Sequence, residues 1–240
     1  MERQLGKQAI LGLGYGMGWH TFLLTLRKYG IFIEAQVCKD ILGDQYNDYY
    51  MAIVKDGQNY NLDPDNRPEA ALCKFVVDIY RATYTMVTGF WKALERDAIY
   101  AKGNFRYEKP FLKYRMPSGK DLVYPYPKRN RTYTPWGTET FEFTAVLTHG
   151  SYFNRVGFYG GKIAENVVQG VAREILVRAI INVRRHVNYT MVHHAHDEIV
   201  AESWNPSIEE FDKLMLNVGP EFEGCPLAVE THICERWQKF

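Results

Sequence analysis

Near Gly103 the hydrophobic period of the chain changes, and that change narrows the possible folds more than any other feature. Up to about Ala101 apolar residues recur at helical spacing, as in Leu72, Phe75, Val76, Ile79 and Tyr80, then Phe90, Trp91, Leu94 and Ile99. Beyond it the texture is short and β-rich. Phe111 to Met116 and Leu122 to Tyr126 flank a turn, Pro117-Ser118-Gly119-Lys120, and Phe141 to Leu147 reads as a further strand. Helical and extended periods in separate stretches predict an α+β fold with a boundary near residue 105.

Within the helical part, Leu5, Ala9 and Leu13 predict a helix over residues 2 to 15. Gly6, Gly12 and Gly14 each cost such a helix about 1 kcal/mol relative to Ala. Either another backbone or a ligand approaches there closely, or the segment is a glycine-rich turn. A second helix is expected from Thr21 through Tyr29, with Gly30 as its stop. The Asp-Gly, Asp-Pro and Arg-Pro steps between Gly43 and Arg67 read as loop, and the helical pattern from Glu69 to Ala101 is expected to break near Gly89. In the second part, Ile163, Val167, Val171, Ile175, Ile180 and Val183 predict a long helix from Lys162 to Arg184. Two strands follow, Val187 to Ala195 and Ile199 to Glu202, with His196-Asp197-Glu198 at or beside their turn. A last helix is expected over Ile208 to Val218.

At 46% hydrophobic and 24% charged residues over 240 positions, the composition is that of a globular protein. No apolar run approaches the roughly 20 residues that span a bilayer, and Met1-Glu2-Arg3-Gln4 does not open a signal peptide. The expectation is a cytoplasmic protein with no membrane partner. Cys38, Cys73, Cys225 and Cys234 form no Cys-x-x-Cys pair and are expected as buried, reduced thiols. The net charge of +1 conceals an uneven distribution. Residues 102 to 131 hold nine Lys or Arg against Glu108 and Asp121, net +7, which leaves −6 for the remainder. Tyr107, Tyr114, Tyr124, Tyr126 and Tyr133 are interleaved with these cations or follow them, a mixture that suits phosphate contacts with base or sugar stacking and equally a solvated basic hairpin.

Two constellations carry chemistry. Arg3, Lys7, Leu11 and Tyr15 are spaced by four, and each step turns a helix by about 40°, so the four share one broad face. Arg3 and Lys7 can converge on one polyanion such as a triphosphate, or they can be two solvated cations on a surface helix. In the second, Asp197 sits where two strands meet at a turn, which holds a carboxylate rigidly, as a metal ligand requires. Hard Mg²⁺ would select the carboxylates, whereas His193, His194 and His196 admit a histidine-rich strand end or a transition-metal site, the latter compatible with a metal hydrolase.

The string from Arg3 to Gly16, Arg-Gln-Leu-Gly-Lys-Gln-Ala-Ile-Leu-Gly-Leu-Gly-Tyr-Gly, resembles motif B of the family A DNA polymerases. Val192-His193-His194-Ala195-His196-Asp197-Glu198-Ile199-Val200 resembles their motif C, and Tyr159 to Gly170 is similar to the palm helix before it, especially in phage-type members. The resemblance implies that Arg3 and Lys7 grip an incoming dNTP, with Tyr15 and Gly16 beside the insertion site. Leu11 stands in the place usually held by Phe or Tyr. Gln169 fits the minor-groove glutamine. The usual Arg and Asn of that helix fall where Gly161 and Glu165 stand, so Lys162 and Asn166 are the candidate substitutes in contact with DNA. Asp197 would bind metal in a site for two Mg²⁺ ions, with His196 and Glu198 beside it and His196 near the primer-template DNA.

On this reading residues 1–105 are fingers and 106–240 the C-terminal part of an antiparallel palm, an incomplete right-hand polymerase fold that performs template-directed DNA synthesis. Motif A, with its second metal-binding Asp, is not found in the sequence. The expectation is therefore a C-terminal polymerase fragment, bacterial or phage-encoded, that is inactive alone and needs an N-terminal fragment carrying motif A. The alternative is an inactive remnant that still binds primer-template DNA. A single-subunit RNA polymerase shares Arg, Lys and Tyr-Gly but resembles His-Asp-Ser at motif C, and Gly160-Gly161-Lys162 lacks the spacing of a phosphate-binding loop.

Overall fold

The computed structural model describes residues 2–133, 137–149 and 152–236. Helices come first, α1 (Glu2–Leu13), α2 (Trp19–Lys28), α3 (Ala35–Leu42), α4 (Tyr46–Asp56), α5 (Arg67–Thr83) and α6 (Thr85–Tyr100). Strands β1 (Phe105–Glu108), β2 (Phe111–Arg115), β3 (Asp121–Pro125), β4 (Lys128–Tyr133), β5 (Glu139–His149) and β6 (Tyr152–Phe158) follow. Then come α7 (Gly160–Arg185), β7 (Thr190–Ala195), β8 (Glu198–Glu202) and α8 (Ile208–Leu216). The sheets are ordered β1-β2-β3, β4-β5-β6 and β7-β8, with antiparallel pairing in the latter two. The fold class is α+β, as the two hydrophobic periods require.

The chain divides into two compact units, one reaching to Leu112 and including Tyr124–Glu165, the other made of Lys113–Val123 and the chain from Asn166 onward. In the first, α2 buries Trp19, Phe22, Leu23 and Leu26, the i, i+3, i+4, i+7 stripe of an amphipathic helix. Against it α5 turns Ala70, Ala71, Cys73 and Val77, small side chains that let the two helices approach closely, while Cys38 and Leu42 of α3 and Ile53 of α4 complete the core. Glu69 is charged and only 5% exposed. Its carboxylate accepts from Arg27 Nη2 at 3.0 Å and from the Ile33 backbone N–H at 3.2 Å. Phe143 of β5 and Phe158 of β6 form an aromatic layer with Tyr124 of β3, whose ring meets theirs edge-on at 5.5 and 5.2 Å.

The second unit is tied by side-chain to backbone bonds. The Tyr189 hydroxyl donates to the Ser207 carbonyl and accepts from the Ser207 N–H. Ser207 in turn caps α8 by accepting from the Glu210 N–H at 3.3 Å. Asn182 Nδ2 donates to the carbonyls of Leu214 and Asn217 at the far end of α8. Ser118, in the turn between β2 and β3, donates to the buried Glu174 of α7 at 2.6 Å. Gly170 makes room for that hairpin, since a Cβ there would stand 2.8 Å from Met116 Sδ.

Four expectations need correction. Residues 43 to 67 are not loop throughout: α4 forms over Tyr46–Asp56 because Tyr46, Tyr49 and Ile53 recur at helical spacing and pack on the core, which outweighs the turn residues around them, while the flanking residues form short turns. The break in the long helical stretch falls at Tyr84, between α5 and α6, and Gly89 sits inside α6 facing open space. Strands β1, β4 and β6 add to those expected. Finally, Cys38 and Cys73 are buried but Cys225 and Cys234 are exposed. Burial, reinforced by the nearby Glu69 carboxylate, pushes the Cys38 thiol up to about 11 and the Cys73 thiol higher still.

Glu69→Ala would strand a partly buried guanidinium and a backbone donor together. The expected loss is about 3 kcal/mol of unfolding free energy in a urea titration, and Glu69→Gln should recover part of it. A loss below about 0.5 kcal/mol would show that the pair is not a structural tie.

Candidate functional site

Helix α1 carries two opposed stripes. Leu5, Ala9 and Leu13 face the core, with Leu13 only 2% exposed, whereas Arg3, Lys7 and Leu11 are exposed. Both stripes step by four and are offset by two residues, about 200° around the helix, so burying one turns the other outward. The two cations are therefore held on a solvent-facing ridge by the apolar residues behind them.

The end of α1 is fixed by its glycines. Met17 N donates to the Gly12 carbonyl at 3.1 Å and Gly16 N to the Leu13 carbonyl at 3.1 Å, with Gly16 left-handed at φ 83°. These are the two bonds of a Schellman motif, and they make Tyr15 the cap residue and Gly16 the residue after it. Gly12 admits the Met17 side chain, which a Cβ would meet at 2.6 Å. Trp91 of α6 then donates its indole N–H to the Gly14 carbonyl at 3.0 Å.

The start of α7 closes on the same segment. A Cβ on Gly161 would fall 2.1 Å from the Tyr15 carbonyl oxygen, and one on Gly160 would fall 2.1 Å from that of Trp91. No side chain fits at either position. The glycine pair is a packing device rather than a phosphate loop, and an Arg at 161, as the resembled helix would have, is sterically excluded. Glu95 Oε2 accepts from the Gly160 N–H at 3.2 Å. Burial, with the Glu165 carboxylate adding to it, pushes the Tyr15 phenol above its ordinary value, and the same two causes raise Tyr159. Both therefore remain hydroxyl donors well beyond neutral pH.

Further along α7, Lys162, Asn166 and Gln169 are spaced i, i+4, i+7 and share one stripe. The Lys162 ammonium lies 5.0 Å from the centre of the Phe158 ring. Gln169 is exposed and Asn166 half-buried.

In the second unit, β7 and β8 pair from Thr190 with Glu202 to Ala195 with Glu198, which leaves His196-Asp197 as a two-residue turn. His196 has φ 50° and Asp197 does not share the left-handed region. Positive φ at the first central residue alone is the pattern of a type II′ turn, usually given to Gly. His196, Asp197 and Glu198 are all exposed, and Asp197 makes no ion pair among the described residues. Its carboxylate is a hard oxygen donor of the kind Mg²⁺ takes. Among the described residues no group of three or more His, Cys, Asp or Glu is arranged to hold a metal ion, so Asp197 suits one ligand position and the described chain does not by itself complete a metal site. His193 and His194, whose ring centroids are 6.3 Å apart, form no such group either. No helix among the described residues is long and apolar enough to cross a membrane.

The structure thus assembles Arg3, Lys7, Leu11, Tyr15 and Gly16 on one helix and its cap, and His196, Asp197 and Glu198 on one turn. Trp91, Gly161 and Glu165 adjoin Tyr15 without having been singled out as its neighbours by sequence reasoning. Trp91 is 77 residues from Gly14, and nothing local signals that pairing.

The chain is similar to the DNA polymerase of Bacillus phage SP02, with 28% identity over 178 residues that cover 68% of this chain and 27% of the phage protein. This is a relationship to a DNA polymerase, in which the chain spans about a quarter of the length of the curated relative it matches. No protein-family model and no solved structure matches the chain.

Gly161→Ala should cost at least about 2 kcal/mol of stability, because its Cβ would meet rigid backbone. Gly6→Ala, with nothing within 4 Å of its Cβ, should instead gain about 0.5–1 kcal/mol. Thermal melts of the two variants check the pair, and equal shifts would contradict the close approach at Tyr15.

Proposed function

We propose that this chain is the nucleotide-gripping and motif C portion of a family A, phage-type DNA polymerase, acting in template-directed transfer of a deoxynucleotide to a primer 3′-hydroxyl. The observation that carries the reading is the α1 ridge: two solvent-facing cations one helical turn apart, followed by a tyrosine whose position is fixed by a Schellman cap and an indole hydrogen bond. The similarity to a phage DNA polymerase supports it.

In this reading Arg3 and Lys7 bind the phosphates of a dNTP by charge-assisted hydrogen bonds, a task for which exposed, unburied cations avoid a desolvation cost. Tyr15, raised in pKa and so uncharged, presents a flat ring and a hydroxyl beside the incoming base pair. Leu11 lines the ridge between them without an aromatic ring, so sugar stacking at that position is absent. Lys162, Asn166 and Gln169 present one stripe toward the primer-template minor groove. The fingers are assigned to residues 1–105 and the palm portion to 106–240.

Two bound Mg²⁺ ions would activate the attacking hydroxyl and neutralise the charge on the triphosphate. Asp197 would hold them from the turn, with Glu198 and His196 supporting its position. A second metal-binding carboxylate would come from a motif A segment outside these 240 residues, whether on the same longer polypeptide or on a partner. A catalytically silent primer-template binder is the second reading, and it rests on the absence, among the described residues, of a group of acidic side chains arranged around Asp197 to hold a metal.

Two outcomes follow. The purified 240-residue chain should not extend a primer, whereas addition of a motif A segment should yield Mg²⁺-dependent extension that Asp197→Ala lowers at least about a thousand-fold in kcat. Robust extension by the chain alone would overturn the divided site, and silence in both preparations with primer-template binding retained would favour the second reading. In the complete enzyme, Arg3→Ala and Lys7→Ala should each weaken dNTP-dependent ternary complex formation about tenfold or more, with affinity for primer-template alone nearly unchanged. A loss of affinity for DNA alone, with nucleotide dependence intact, would defeat the assignment of α1.

A further inference from the structure

The basic, tyrosine-bearing stretch that follows α6 is not used by the reaction above, yet part of it converges on one residue. Tyr126 lies between Pro125 and Pro127, at the turn from β3 to β4, and has φ 47°. A left-handed backbone costs a non-glycine residue about 1–2 kcal/mol, and a glycine would adopt it freely. The residue is nevertheless a tyrosine, and its side chain is spent on no core, since it is 58% exposed. Its backbone is tied on both sides. Tyr126 N donates to the Pro110 carbonyl at 2.8 Å, and Arg155 of β6 donates to the Tyr126 carbonyl at 2.9 Å and to Thr144 Oγ1 at 3.3 Å.

Those ties bring three cationic residues to one turn. Lys109 precedes Pro110, Lys128 follows two residues after Tyr126, and Arg155 is bonded to it directly. All three are exposed, and none forms an ion pair among the described residues. Of the carboxylates in the region, Glu108 is engaged by Arg106 at 2.6 Å, and Glu142 lies opposite Asn130, two residues from Lys128. An exposed aromatic ring on a tethered backbone, with exposed cations on the residues joined or adjacent to that tether, matches the two needs of a single-stranded nucleic acid, a flat surface for a base and positive charge for the backbone. A duplex interior offers no free base face to such a ring.

We propose that Tyr126, with Lys109, Lys128 and Arg155, forms a binding platform for a single strand of nucleic acid, one base stacking on the ring and the flanking phosphates meeting the cations. The platform needs neither Arg3 and Lys7 nor Asp197, so it stands whether or not the polymerase reading holds.

The test is fluorescence anisotropy of a labelled oligothymidylate with the full chain across a salt series, beside thermal melts. Tyr126→Gly suits the left-handed backbone, so its melting temperature should hold or rise while oligothymidylate affinity falls about tenfold. Tyr126→Phe should bind within about twofold of the parent. The double variant Lys109→Glu with Lys128→Glu should reduce the slope of log affinity against log salt by about 1.4, the value for two phosphate contacts on a single strand. Unchanged affinity in Tyr126→Gly would overturn the platform. So would an unchanged salt slope in the lysine variant, which decides the matter if the glycine variant fails to fold, and so would affinity for a duplex of equal length that matches or exceeds that for the single strand.

Discussion

The approach of two backbones at Tyr15 is the constraint on which most of the first unit's functional geometry depends. Gly161 at the start of α7 stands against the Tyr15 carbonyl, Gly160 stands against that of Trp91, and Trp91 in turn holds the Gly14 carbonyl. Three segments far apart in the chain, the end of α1, the middle of α6 and the first turn of α7, are thereby locked, α7 against the other two through contacts that tolerate no side chain and α6 to α1 through the Trp91 indole. Close-packed backbone has no rotamer to relax into, so the position of Tyr15 is set more firmly than a side-chain contact would set it. The orientation of the α1 ridge follows, because a helix with one end fixed and one stripe buried has no rotational freedom left.

The same geometry explains a departure from the resembled palm helix. An arginine at position 161 has no space, and Glu165 rather than an amide adjoins the Tyr15 and Tyr159 phenols, where it helps to keep both protonated. Charge near the tyrosine is thus negative, and positive charge is displaced to Lys162, which rests over the Phe158 ring.

Much of this was legible in the sequence. The change of period near Gly103 predicted the passage from helices to strands, and the 3.6-residue repeat from Ile163 to Val183 predicted α7 nearly to its ends. The spacing of Arg3, Lys7 and Leu11 placed them on one face, and the turn at His196-Asp197 appeared where the strand pattern lapsed. The misses have a common cause. Helix α4 was hidden because Asp-Gly and Asp-Pro steps are local signals, whereas the burial of Tyr46, Tyr49 and Ile53 that stabilises the helix is supplied by α5 and α3. The break at Tyr84 and the exposure of Cys225 and Cys234 likewise depend on what packs against them.

The sequence by itself determined most of the long helices and the β7-β8 turn, the amphipathic sense of α1 and α2, the residue types at both candidate surfaces and the resemblance that joins them, because periodicity and turn chemistry act over a few residues. Only the tertiary structure decided why the glycines stand where they do. Gly12 receives Met17, Gly16 adopts a left-handed cap, and Gly160 and Gly161 admit two carbonyl oxygens. It also decided that Tyr126 is exposed on a backbone tied to the Pro110 carbonyl and to Arg155. A glycine in a sequence announces only that a side chain is missing. What fills the space depends on chain segments dozens of residues away, and their approach is governed by packing that no local window contains.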